Sequence, residues 1–105
     1  MTIVEGILSI QREKGSEVIL LDDQPLSKMF NHVSGVDILF TISSEPDIFY
    51  SVSGIADVFY FEGIQQSNKG IKYVNDFFID DFDVIEVLEK LEGKRVKLSL
   101  QVNQV

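Results

Sequence analysis

Two aspartate pairs, Asp22-Asp23 and Asp80-Asp81, with Asp83 just behind the second, are the residues whose type and spacing come nearest to chemistry. If the fold brings them together, their carboxylates could hold a divalent cation through oxygen ligands. Each pair also precedes an amphipathic stretch, where carboxylates ordinarily receive the free N–H groups of a helix start and complement its dipole. Adjacent side chains diverge as well. Capping is therefore the favoured expectation, and Asp22, Asp23, Asp80 and Asp81 are secondary metal candidates only. His32, the sole histidine, stands near the end of the first amphipathic stretch, and Lys90 takes the same place in the second. That reads as a cation at a helix C-terminus, not as a general base. The glycines have neither dinucleotide nor Walker spacing, and no nucleophile elbow accompanies the serines. The absence of cysteine removes thiolate catalysis, disulfides and Cys-ligated zinc together. No cofactor and no enzymatic activity are expected.

The second group is aromatic: Phe49, Tyr50, Phe59, Tyr60 and Phe61, between the two amphipathic stretches. A small β-rich domain needs large residues in its core, so burial is the first reading. Consecutive strand residues face opposite ways, however, so Phe49 and Tyr50 cannot share a face, nor can Tyr60 and its two neighbours. Unless both sheet faces are covered, some of these rings reach the surface, where they suit a protein interface. Phe77-Phe78 raises the same question.

Charge bounds the partners. The 105 residues carry a net charge of −8 with a pI near 4.4, and 45% of them are apolar. Both halves are acidic, which opposes the phosphate neutralisation that drives nucleic-acid affinity, so no direct nucleic-acid binding is expected. Lys90, Lys94, Arg95 and Lys97 form the one basic group, read as cations near a helix end that continue onto a solvent-facing strand edge. No basic leader and no span-length apolar run is visible, so no membrane partner and a cytoplasmic setting are the default expectations.

The elements that must position these residues follow from periodicity. Thr2–Ile10 and Glu17–Leu21 read as a strand pair joined by a polar, glycine-containing turn. Leu26, Met29, Phe30 and Val33 share one helical face, giving a short helix at about 25–34 that stops at Ser34-Gly35. Ile38, Phe40 and Ile42 alternate along a strand over 36–43. Segments 48–52 and 58–61 read as strands parted by Ser53-Gly54, 65–70 as a polar loop, and 71–79 as a strand. Val84, Val87, Leu88 and Leu91 give a second short helix at about 83–92, with Asp83 and Glu86 as a capping box. Val96, Leu98 and Leu100 alternate along a last strand.

Residues 19–43 and 77–101 superpose without a gap at a shift of 58, matching Asp22-Asp23 to Asp80-Asp81, Gly35 to Gly93 and both helical faces. Glu5-Gly6-Ile7 recurs as Glu62-Gly63-Ile64 at a shift of 57. The expectation is one domain, 1–105, built from repeats 2–43 and 58–102 joined by 44–57. The run from strand through helix to the strand after glycine, over about 17–43 and 75–101, resembles the half-motif of double-psi and other cradle-loop barrels. Gly35-Val36-Asp37 and Gly93-Lys94-Arg95 depart from the Gly-Asp step common there. The resemblance implies a fold and no activity. The expected fold is α+β, mostly β: a small closed or semi-closed barrel of two pseudo-symmetric ββαβ units. The expected function is that of an acidic, non-enzymatic binding or accessory protein acting on a protein partner, a homodimer among the forms considered. Two alternatives stand beside it. One is an acidic inhibitor that mimics nucleic acid before a nucleic-acid enzyme, in the manner of mobile-element proteins. The other is a small-molecule or divalent-metal-binding barrel.

Overall fold

Alternation becomes strand and the two 3.6-residue stretches become short helices. A computed structural model describes residues 1–13, 16–65 and 70–103. In chain order it contains β1 (Thr2–Glu13), β2 (Ser16–Leu21), β3 (Gln24–Pro25), α1 (Leu26–Phe30), a 3-10 turn (Asn31–Val33), β4 (Asp37–Ser44) and β5 (Ile48–Gln65). There follow β6 (Gly70–Ile79), β7 (Phe82–Asp83), α2 (Val84–Glu89) and β8 (Arg95–Val102). The strands form one antiparallel eight-stranded sheet in the order β3-β2-β1-β8-β4-β5-β6-β7, curled into a half-barrel. The centres of the expected turn at 11–15 and loop at 65–70 lie outside the described residues.

Both helices sit in the concave side and supply much of its core. Leu26, Phe30 and Val33 are buried from the first amphipathic stretch, and Val84, Leu88 and Leu91 from the second. Phe30, Phe40 and Phe77 meet with ring centroids 5.1–5.8 Å apart, tying α1 to β4 and β6. Full burial of such side chains stabilises by roughly 1.5–3 kcal/mol each.

Several expectations need correction. β5 is one continuous strand across Ser53-Gly54, because Gly54 is kept in the strand by a close approach described below. The first helix is shorter than 25–34: Gln24-Pro25 pairs with β2 instead, and the α-helix gives way to a 3-10 turn at Asn31. The second helix likewise spans Val84–Glu89 and not 83–92. Of the closed and semi-closed forms expected, the sheet takes the open one: the end strands β3 and β7 each pair with one neighbour only among the described residues. At the open seam, Asn75 Nδ2 of β6 donates to the Glu17 carbonyl of β2 at 2.6 Å. β8 is a central strand between β1 and β4, so the Arg95–Lys97 segment is no sheet edge.

The ladder registers of the two halves correspond. Leu8 faces Leu21 and Ala56 faces Ile79; Leu20 faces Pro25 and Phe78 faces Asp83; Thr2 faces Leu100 and Tyr50 faces Ile42. A step of 48 on the long strands and 58 on everything after them converts each pairing into the other. Thr41 and Ser99, 58 residues apart, face each other across β4 and β8 and share a hydroxyl hydrogen bond. Glu17 and Asn75, bonded across the seam, are also 58 apart.

Candidate functional site

The aspartate pairs neither cap the helices nor meet. Asp22, Asp23 and Asp80 have positive φ (47°, 68° and 50°), which turns the chain sharply out of β2 and β6. Asp and Asn are among the few non-glycine residues that tolerate this region. The Asp22 carboxylate then accepts from the Ile7 N–H at 2.8 Å while its own N–H donates to the Ile7 carbonyl. Asp80 does the same with Ile55, at 3.0 Å for the carboxylate contact. Each side chain replaces the backbone acceptor that the departing strand no longer supplies. A Cβ on Gly6 or Gly54 would fall on the Asp22 or Asp80 carboxylate, so any side chain at either place must displace that carboxylate from its hydrogen bond. The counterpart of Gly6 in this geometry is Gly54; Gly63 lies further along β5, opposite Lys72. Asp83, in contrast, is a helix cap, its Oδ1 accepting from the Glu86 N–H at 3.2 Å. Among the described residues no three His, Asp or Glu side chains gather as metal ligands would.

His32 is exposed on the 3-10 turn. Lys94, Arg95 and Lys97 line a cleft of about 380 Å³, but Glu5 and Glu45 line it too, and Arg95 pairs with Glu5 at 2.9 Å. Carboxylates on both sides make it a poor anion site. No helix of the described residues is long and apolar enough to cross a membrane.

The aromatic group divides as period two requires. Phe49, Phe59 and Phe61 point to the convex outer face of β5, which Ile55 shares, and these four are 48–68% exposed. Tyr60 turns inward and is half-buried. Tyr50 also turns inward, packing its ring 6.4 Å from Phe82 at the rim, where it remains 38% exposed. Phe78 of β6 is half-buried on the outer face, opposite Asp57 and thus diagonal to both Ile55 and Phe59. Ile55, Phe59, Phe61 and Phe78 therefore make one apolar strip across β5 and β6, with Phe49 at the far end of β5. Sequence reasoning missed Ile55. Its even spacing from Phe59 and Phe61 was visible, but the assumed break at Ser53-Gly54 hid it. The matching stretch of β1 carries Gln11 where β5 carries Phe59. Ile3 and Ile7 are also exposed on β1.

Comparison with protein families, curated proteins and solved structures finds no match to the chain.

Proposed function

We propose that this is a non-enzymatic binding protein of the cytoplasm that uses the outer face of β5 as its interface with a protein partner. One observation carries the reading: Ile55, Phe59 and Phe61 share one face of β5, each about half exposed, with Asp57 between Ile55 and Phe59. Contiguous exposed apolar surface is costly in a soluble domain and marks interaction sites. Aromatic rings contribute most of the energy at interface centres.

The scaffold beneath it is, on this reading, a tandem duplication of a cradle-loop-like unit, 2–44 and 50–102. The corresponding registers, the paired latches Asp22–Ile7 and Asp80–Ile55, and the left-handed Gly35 and Gly93 (φ 86° and 84°) all support that. Function then lies where the halves differ, and the aromatic strip is such a place. Capture from the native cell tests the interface. Wild type and an Ile3→Ser/Ile7→Ser control should recover the same partner, and Phe59→Ser/Phe61→Ser should lose it. Equal recovery by all three would contradict the reading.

A further inference from the structure

Exposed apolar surface does not name its own occupant, but the charges around this strip do. Segments 29–68 and 73–89, which supply β4, β5, most of β6, β7 and α2, contain no Lys or Arg and hold five and six carboxylates respectively. Lys69 and Lys72 lie between them, Lys72 at the start of β6 opposite Gly63, beyond the Phe61 end of the strip. On the outer face Asp57 stands between Ile55 and Phe59 along β5, and Asp76 stands directly opposite Phe59. Both are exposed. Asp76 also borders a cleft of about 290 Å³ at the β2–β6 seam, which it shares with Glu17, Asp83 and Glu89. The strip and this acidic cleft thus meet at one residue. Inside the cleft the side-chain carbonyl of Asn75 is buried without a hydrogen-bond partner. An acceptor in that state is destabilising, and a donor arriving from outside would satisfy it.

A second copy of the chain is a poor occupant. Stacking two such faces sets Asp57 and Asp76 of one copy against those of the other, on molecules that each carry −8. Membranes and nucleic acids present anions and have the wrong sign. What fits is a surface that is cationic and apolar together. Arginine suits it best, since its planar guanidinium stacks on exposed phenylalanine and donates in a fork to carboxylate and amide oxygens.

Resting on the reading that the outer face of β5 is an interface, we infer that its occupant is a basic segment of another protein. Apolar side chains of that segment cover Ile55, Phe59 and Phe61. Its cationic head groups meet Asp57 and Asp76, one of them entering the seam cleft beside Asn75.

Fluorescence anisotropy with three short synthetic peptides, alternating Arg-Leu, Glu-Leu and Arg-Ser, tests this against the full chain, alongside sedimentation velocity. The Arg-Leu peptide should bind, the Glu-Leu peptide should not, and the Arg-Ser peptide should bind at least about tenfold more weakly. Asp57→Asn/Asp76→Asn should weaken Arg-Leu binding by about tenfold or more. The control pair Glu45→Gln/Asp47→Asn, with the same change in charge, should leave it within about threefold. Equal losses in the two pairs, binding of the Glu-Leu peptide, or a dimer that Phe59→Ser/Phe61→Ser dissociates would each overturn the inference. If Phe59→Ser/Phe61→Ser abolishes binding while both neutralised pairs behave alike, only the basic chemistry of the occupant is wrong. If that double variant alters neither peptide binding nor mass, the interface itself is refuted as well.

Discussion

Gly54→Ala is expected to destabilise the protein by about 2 kcal/mol, and Asp80→Gly to abolish most of that effect. The new Cβ falls on the Asp80 carboxylate, which accepts from the Ile55 N–H at 3.0 Å. Displacing it forfeits a hydrogen bond to a charged group, worth roughly 1.5–3 kcal/mol. Water reaches this exposed bond, which favours the lower part of that range. Asp80→Gly alone loses the same bond but relieves a backbone held at φ 50°, so its cost should be about 1 kcal/mol. With the carboxylate gone, the methyl group added at position 54 has room. The double variant should then be no less stable than Asp80→Gly by more than about 0.5 kcal/mol, giving a coupling of roughly 2 kcal/mol. Urea unfolding of the four proteins reads this directly, provided that the slope m stays constant. Additive effects would refute the close approach as the reason for glycine. The same cycle on Gly6 and Asp22, whose carboxylate contact is 2.8 Å, should give a similar value.

Ser27→Ala should raise stability by about 1 kcal/mol in urea unfolding, because the Ser27 hydroxyl is buried in α1 with no partner. Phe77→Ala should cost about 3–5 kcal/mol in urea unfolding, since Phe77 joins Phe30 and Phe40 at the centre of the core. Asp83→Ala removes the cap of α2 and should cost about 1 kcal/mol in the same urea assay. Phe59→Ser, on the exposed face of β5, should leave the urea midpoint within about 0.5 kcal/mol of wild type.

Local periodicity carried the strands and the buried helical faces. Ile38, Phe40 and Ile42, and the two i, i+3, i+4, i+7 sets, read correctly because neighbours along the chain decide them. The left-handed Gly35 after the first amphipathic stretch read correctly for the same reason, and Gly93 takes the matching conformation after the second. The role of Asp22 and Asp80 did not, because their partners, the N–H groups of Ile7 and Ile55, are 15 and 25 residues away. Gly54 reads as a strand break in isolation, and only the opposing Asp80 carboxylate explains a glycine inside β5. The central place of β8 and the open seam are likewise set by long-range pairing. For the candidate interface, period two was enough to part Phe59 and Phe61 from Tyr60. Which face stays bare depended on where the helices pack, and that no local pattern states.

The most direct measurement places a photo-crosslinking phenylalanine analogue at Phe59, at Phe61 and, as a control, at Ile3, each in the native cell. Positions 59 and 61 should yield one discrete protein adduct upon irradiation, and position 3, equally exposed on β1, should yield none. No adduct from the β5 positions, or the same adducts from all three, would contradict the assignment of β5 as the binding face.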